Sequence, residues 1–156
     1  MRLNHDYVRD ILLYIEENLD YEDKDSETPY RHKIITDSEL MTDDIFKKHN
    51  KQELSNALEL MIKEDYIEVT DDSNISNGVM YIAKIIGLTW KGHELLDNVR
   101  DNTVWNAVKK KAFKFGGVSL SALFNCSKTL VNRLMEDPDA VQKFLQGVDG
   151  LCQYFK

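Results

Sequence analysis

The pattern of hydrophobic and polar positions predicts a helix followed by two strands in the middle of the chain. One apolar helix face is formed by Leu54, Ala57, Leu58, Met61 and Ile62. Asn50 can cap this helix, and Glu53 stands where a capping-box carboxylate reaches back to the cap residue. Two β-rich segments, residues 66–70 and 79–86, follow the helix. The segment between them ends in an Asn-Gly dipeptide typical of tight hairpins. A helix followed by a β-hairpin is the second half of a winged helix-turn-helix.

The pattern before Asn50 predicts the remaining elements of that fold. A helix capped by Asn4 runs to about Leu19, and its core face carries Val8, Ile11, Leu12, Ile15 and Leu19. The acidic segment 20–30 is predicted to be a loop and residues 33–36 a short strand. Thr42 is predicted to cap a short helix over residues 43–49. This order predicts an α+β winged helix-turn-helix domain in residues 1–100.

The rest of the chain, residues 101–156, is predicted to be a helical C-terminal extension. Thr89 can cap a long helix, and Asp101 can cap a second segment of it. Ser119 opens another helix, and Asp137 followed by proline predicts a restart with the proline at the first helical position. The last apolar stripe consists of Val141, Phe144, Leu145, Val148, Cys152 and Phe155. Such a stripe is more often core than a partner site. If the helices after Gly117 do not all pack on a small winged helix, they would bury their apolar surface in a homodimer through the C-terminal helices.

Two sequence blocks resemble a known family. The first is Asn-His-Asp-Tyr-Val-Arg-Asp-Ile-Leu at residues 4–12, and the second is Gly-Leu-Thr-Trp-Lys-Gly-His-Glu-Leu-Leu-Asp at residues 87–97, followed by Val99-Arg100-Asp101 and Val104-Trp105. Over roughly residues 1–125 the chain is similar to small phage- and prophage-encoded proteins known as domain of unknown function 2513. The resemblance implies a winged-helix fold and an origin in a mobile element. It implies no activity and no functional residues.

Charge is distributed unevenly along the chain, whose formal net charge is −7. Residues 16–44 contain eleven acids and three bases, whereas residues 105–135 contain six bases and no acid. An acidic protein binds polyanions poorly, although a local basic face can still contact phosphates. Cys126 and Cys152 have no metal-like spacing, and no apolar segment reaches membrane-spanning length. We therefore expect reduced thiols, no membrane attachment and a location in the cytoplasm of a bacterial host.

The helix after Asn50 is the natural recognition element of a DNA-binding protein. Gln and Asn side chains pair with adenine edges, and Ser reaches a base or a phosphate. The outward face of this helix carries Gln52, Ser55, Asn56, Glu59 and Lys63. A basic patch of Lys109, Lys110, Lys111 and Lys114 can contact the phosphate backbone, or it can complement the negative end of its own helix. A third alternative is that the patch pairs with the acidic region 16–44, within one chain or between two. The leading hypothesis is a non-enzymatic regulatory protein that binds double-stranded DNA.

The acidic residues near the predicted DNA-binding face support an alternative function. On the recognition helix the acids outnumber the bases, with Glu53, Glu59 and Glu64 against Lys51 and Lys63. Asp71 and Asp72 lie in the hairpin segment, where DNA-binding wings usually carry bases. These acids favour a protein-binding adaptor, or an inhibitor of a host factor such as a defence system. In a third interpretation, these polar residues only face water.

Catalytic and metal-binding motifs are poorly matched. The segment from His93 to Asp97 departs from the zinc-peptidase pattern His-Glu-x-x-His because its last residue is Asp. The acidic segment 20–30 lacks the glycine and the terminal glutamate of a calcium loop. We predict no catalytic residue, no metal and no cofactor.

Overall fold

The computed structural model describes residues 3–19, 33–76, 79–114 and 117–146, which form an α+β fold. For residues 74–76 and 79–82 it describes the backbone alone. The predicted loop at 20–30, and the last apolar stripe from Val148 onward, lie outside the described residues. The chain divides into two compact units, Leu3–His93 and the residues from Glu94 onward, and each unit is described by itself. The predicted domain boundary after residue 100 stays a prediction.

The first unit combines helices with a small antiparallel sheet. Its elements are α1 (His5–Asn18), β1 (Ile35–Thr36), α2 (Asp37–Thr42), a 3₁₀ turn (Asp44–Phe46), α3 (Lys51–Lys63), β2 (Ile67–Val69), β3 (Asn74–Ser76), β4 (Val79–Ile82), β5 (Lys84–Leu88) and the start of α4 (Trp90–Val99). The central strand, β5, pairs with β1 through Ile35 and Ile85, and with β2 through Glu68 and Gly87. Strands β3 and β4 form a separate two-stranded hairpin.

The core of the first unit lies where α1 packs against α3 and β5. The apolar faces predicted for both helices are buried there. Its fully buried side chains include Ile11, Leu12 and Ile15 of α1, Leu54, Leu58 and Met61 of α3, and Ile85 of β5. Full burial of one such side chain contributes about 1.5–3 kcal/mol relative to leaving it in water.

The predicted helix starts are confirmed at four caps. The Asn4 side chain accepts a hydrogen bond from the Asp6 N–H, and the Thr89 hydroxyl accepts one from the Gly92 N–H at 3.0 Å. Asp101 caps the segment after the helix break by accepting from the N–H groups of Thr103 and Val104. Ser119 caps a further helix by accepting from the Ala122 N–H. Each cap satisfies an amide that has no partner within its helix.

The helix predicted over residues 43–49 is wrong. The α-helix ends at Thr42, and Asp43 instead caps the 3₁₀ turn, because its carboxylate accepts from the Ile45 N–H at 3.0 Å. The helix start lies earlier, at Thr36, where a capping box forms with Glu39. Glu39 accepts hydrogen bonds from the backbone N–H and the hydroxyl of Thr36, and these bonds lower the pKa of its carboxyl group.

The single strand predicted over residues 79–86 is also wrong. The chain leaves the extended ladder at Ala83, whose backbone exchanges hydrogen bonds with Asp37. This contact separates β4 from β5. As a result, β4 pairs with β3, whereas β5 joins the three-stranded sheet. Strand β3 lies in the segment that was predicted only to connect the strands 66–70 and 79–86.

The second unit consists of helices in its described part. After the end of α4 come α5 (Asn102–Lys114), α6 (Leu120–Glu136) and α7 (Ala140–Gln146). Helix α5 packs against α6 and α7, and Val108, Leu123 and Leu130 are fully buried. The predicted restart occurs, but α7 begins at Ala140 rather than at the proline, because Asp137 first closes a turn with the Asp139 N–H. No helix of the described residues is long and apolar enough to cross a membrane.

Candidate nucleic-acid interface

The amino-terminal end of α3 is held by α1. The Asn50 side chain caps α3 by accepting from the N–H groups of Gln52 and Glu53 at 2.9 and 3.2 Å. The predicted capping box at this cap is wrong, because the Asn50 N–H donates to the Tyr7 hydroxyl at 3.1 Å. The Glu53 carboxylate instead accepts a hydrogen bond from the Asn4 side chain at 3.4 Å. Tyr7 of α1 and Asn4, the residue that caps α1, therefore fix the first turn of α3.

The turn before α3 is held by another residue of α1, Asp10. His49 Nε2 lies 3.1 Å from the Asp10 carboxylate. The imidazole ring also packs beside the Tyr7 ring, with 4.4 Å between centroids, and meets the Phe46 ring edge-on at 5.4 Å. Because these contacts restrain the turn from several sides, the side chains at the start of α3 project from a well-supported backbone.

The predicted outward face of α3 differs in exposure along its length. Gln52 and Lys63, at its two ends, are exposed, whereas Ser55, Asn56 and Glu59 are half-buried. Lys63 forms an ion pair with Glu59, with 2.5 Å between Nζ and Oε1. This pair leaves the carboxy-terminal half of the face close to neutral. The amino-terminal half, around Gln52, is thus the more accessible part for a polyanion.

Two exposed lysines beside Gln52 place positive charge at the start of α3: Lys48, which the sequence analysis did not consider, and Lys51, which it judged to be outweighed by the acids of the helix. Lys48 and Lys51 are both exposed, and neither forms an ion pair within the described ranges. Lys47 is exposed as well but pairs with Asp44. The positive end of the α3 dipole lies at the same place. The sequence signal was the i, i+3 spacing of Lys48 and Lys51 across the Asn50 cap, which a comparison of the acids and bases of the whole helix does not show.

The acids of the hairpin segment are only partly compensated. Asp71 and Asp72 are both exposed. Asp72 forms an ion pair with Lys84 and accepts a hydrogen bond from the Thr70 hydroxyl, and the hydrogen bond from Lys84 is the main cause of its lowered pKa. Lys84 therefore offsets one of the two negative charges.

The lysine patch does not present four ammonium groups to solvent. Lys110 and Lys114 are exposed, and the half-buried Lys109 extends over the Trp105 ring, 6.0 Å from its centroid. Lys111 is only 4% exposed; its ammonium lies 3.4 Å from the Leu145 carbonyl oxygen and 5.4 Å from the centroid of the Phe144 ring. The patch belongs to the second unit and α3 to the first.

The histidine-glutamate motif of α4 has conventional surface contacts. His93 is exposed, Glu94 forms an ion pair with Lys128 at 2.5 Å, and Asp97 pairs with Arg100 at 3.3 Å. Within the described part of the chain, no three His, Cys, Asp or Glu residues are grouped so that they could hold a metal ion.

Comparison with known proteins places the chain in a family. The model of the hypothetical-protein family DUF2513 matches residues 2–119. An uncharacterised protein of Haemophilus influenzae (strain Rd KW20) is 30% identical over 136 residues, which cover 86% of this chain and 99% of that relative. No solved structure matches the chain. The protein therefore belongs to the DUF2513 family.

Proposed function

We propose that the first unit is a winged helix-turn-helix domain and that it binds double-stranded DNA through α3 as part of a regulatory protein of phage or prophage origin. The element order supports the fold: α1, a short strand, α2 with its 3₁₀ turn, α3, and then paired strands with a projecting β3–β4 hairpin. The observation that carries the function is the accessible start of α3, where Gln52 is flanked by Lys48 and Lys51.

The dimensions and side chains of α3 suit the major groove. A helix of 13 residues is about 20 Å long, and the groove admits one α-helix. Gln52 and Asn56 lie one turn apart on the same side of the helix and are of the types that read adenine. Lys48 and Lys51 would contact phosphates on either side of the cap. Because α1 already holds the turn, little ordering entropy is lost on binding.

Fluorescence anisotropy of a labelled duplex, titrated at several salt concentrations, tests this proposal. We expect wild-type binding to weaken as salt rises, since each neutralised phosphate contributes about 0.9 to the slope of log K against log salt. Replacing Lys48 and Lys51 by alanine should reduce the slope by about 2. The control replaces Lys128 and Lys143, two exposed lysines of the second unit to which no DNA contact is assigned, and should leave the slope unchanged. Absence of binding at low salt would overturn the proposal.

Sequence readout needs its own experiment. Selection from a random duplex library should enrich one motif with the wild-type protein, and the Gln52→Ala/Asn56→Ala variant should enrich none while keeping its non-specific affinity. An identical motif from both proteins would refute the assigned roles of these two side chains.

One observation favours a second candidate function, protein binding through the hairpin. Asp71 is exposed and has no ion pair among the residues described, and it lies where a phosphate would be repelled. If the protein is an adaptor or inhibitor of a host factor, Asp71→Lys and Asp72→Lys should weaken the complex with that factor, whereas Lys48 and Lys51 should be dispensable. The two candidates therefore differ in which charges matter.

A further inference from the structure

An exposed tryptophan stands at the start of α4. The Trp90 side chain is 86% exposed, whereas the other tryptophan, Trp105, is 3% exposed. A single exposed apolar side chain is common on protein surfaces. What distinguishes Trp90 is the rigidity of its backbone and the charge that surrounds it.

Contacts on both sides of Trp90 hold its backbone in place. The Thr89 hydroxyl donates to the Asp65 carbonyl at 2.7 Å, and the Thr89 N–H donates to the Tyr66 carbonyl at 3.2 Å. The Lys91 ammonium donates to the Glu64 carbonyl at 2.6 Å and lies 4.1 Å from the centroid of the Tyr66 ring. The indole is thus displayed from a fixed position and loses little backbone freedom if a partner covers it.

The surroundings of Trp90 are acidic. Glu64, Asp65 and Glu68 are exposed, and none of them forms a side-chain ion pair within the described ranges. Glu68 of β2 pairs with Gly87 of β5, three residues before Trp90. Its Oε2 atom lies 3.7 Å from the position that a Cβ atom at residue 87 would take. The neighbouring base, Lys91, directs its ammonium to a backbone carbonyl and an aromatic ring. Trp90, Glu64, Asp65 and Glu68 are called the tryptophan surface below. It suits an apolar partner surface that carries positive charge.

The second unit of the same chain carries a surface of that kind. Phe113 is 65% exposed on α5. At 100° per residue, Lys110 lies about 60° from Phe113 around α5 and Lys114 about 100° from it, so the three side chains fall within one arc of about 100°. Both lysines are exposed without an ion pair in the part of the chain that the structure describes. Phe113, Lys110 and Lys114 are called the phenylalanine surface. It combines an exposed aromatic ring with positive charge, which is the complement of the tryptophan surface.

We propose that the tryptophan surface of one copy of this protein binds the phenylalanine surface of a second copy, and that two reciprocal contacts close a dimer. Each surface alone repels its own kind, so the charges select the pairing between unlike surfaces. The Trp90 indole and the Phe113 ring would meet at the centre of each contact and form its apolar core.

The proposal does not depend on DNA binding by the first unit, and it uses none of the side chains that the proposed function assigns to DNA contact. The tryptophan surface lies beside the carboxy-terminal end of α3, about 18 Å along the helix from Lys51. A dimer would carry two copies of α3, as proteins that read paired half-sites do.

Sedimentation velocity of the full chain, without DNA, tests the dimer. At about 100 µM and low salt we expect a dimer, and high salt should dissociate it because charge selects the contact. The variants Glu64→Lys/Glu68→Lys and Lys110→Glu/Lys114→Glu should each be monomeric, because both of their surfaces then carry the same charge. An equimolar mixture of these two variants should dimerise again, since every contact between unlike chains is once more complementary. Asp65 is left unchanged because its φ of 61° disfavours most side chains.

The tryptophans provide a second readout that needs no charge reversal. In wild-type protein the emission of Trp90 should shift to shorter wavelength as concentration rises, whereas the buried Trp105 should contribute a constant signal. The Trp90→Ala variant should remain monomeric at the concentration where the wild type is dimeric.

Three results would overturn the proposal. The first is a wild-type monomer at low salt, and the second is a dimer that persists in both charge-reversed variants, as association through the C-terminal helices would produce. The third is a mixture of the two variants that stays monomeric. Loss of DNA binding by the Lys48 and Lys51 variant, with the dimer intact, would show that the two surfaces act independently.

Discussion

Gly92 lies where α4 passes closest to the backbone of Tyr66. A Cβ atom at this position would lie 2.1 Å from the Tyr66 carbonyl oxygen, 3.1 Å from the Tyr66 carbonyl carbon and 3.3 Å from Leu88 Cβ. Real Cβ contacts hardly ever fall below 3.0 Å. Substitution by alanine therefore requires the helix start and the Tyr66 peptide to separate by roughly 1 Å.

Two contributions destabilise the Gly92→Ala variant, and a third one stabilises it. Overpacking of a well-packed site costs about 1–3 kcal/mol, and more when backbone must move. The Tyr66 carbonyl also accepts the Thr89 N–H at 3.2 Å, and disrupting that bond costs about 1 kcal/mol. Alanine stabilises a helix by about 1 kcal/mol relative to glycine, and this gain partly offsets the two costs. We expect Gly92→Ala to lower the free energy of unfolding by about 3 kcal/mol.

Urea denaturation followed by far-ultraviolet circular dichroism measures this change, and Gly87→Ala is the matched control. The nearest atom to a Cβ at Gly87 is the Glu68 Oε2 at 3.7 Å, an ordinary contact, so the control should stay within about 0.5 kcal/mol of wild type. If Gly92→Ala unfolds at the same urea concentration as Gly87→Ala, the close approach does not constrain this residue and the reasoning fails.

Three further changes test other contacts of the first unit. Thr36→Ala removes the cap of α2 and should cost about 1 kcal/mol in urea denaturation; equal stability would show that the capping box contributes nothing. Burial raises the pKa of Tyr66 to about 12, so the folded state holds its proton more tightly than the unfolded state and loses stability as pH rises from about 10 to 12. Tyr66→Phe should lose less stability than wild type over that range, and parallel curves would contradict this. A double-mutant cycle of Asp10→Ala and His49→Ala should give a coupling energy of about 0.5–1.5 kcal/mol, and a value near zero would mean that this pair does not hold the turn.

Helix starts were predictable because cap chemistry is local. Asn4, Thr89, Asp101 and Ser119 each bond an amide two or three residues further along the chain. All the information needed for such a bond lies within one turn of sequence.

The capping boxes show where local information ends. The pattern Asn50 to Glu53 and the pattern Thr36 to Glu39 have the same spacing, yet only the second forms a box. At Asn50 the backbone N–H is taken by Tyr7, a residue 43 positions away. No local pattern reveals that partner, because it depends on how α1 docks.

The burial of Lys111 was within reach of the sequence. Val104, Val108 and Lys111 follow the i, i+4, i+7 spacing of one helix face, so helical periodicity places Lys111 with the apolar residues. Its long aliphatic stem allows this placement while the ammonium reaches a carbonyl oxygen and an aromatic ring. Counting lysines as one patch concealed the difference between Lys111 and its exposed neighbours.

The candidate interface was only half predicted. Gln52 was selected by its position on the helix, and it is exposed as expected. Lys48 was passed over and Lys51 was judged to be outweighed by the acids of the helix, because the total charge of a helix does not show at which end each charge lies.

The order of the strands affects how the protein can fold as it is synthesised. Strand β5 is the last strand of the first unit to leave the ribosome, yet both β1 and β2 pair only with it in the three-stranded sheet. Strands β1 and β2 therefore have no sheet partner until residues 84–88 have emerged, and α1 lacks part of its packing surface for the same period. Because domains generally fold as units during synthesis, we expect the first unit to complete its folding only after β5 has emerged. Until then the part of α1 that packs against β5 has no partner, although α1 and α3 can already meet.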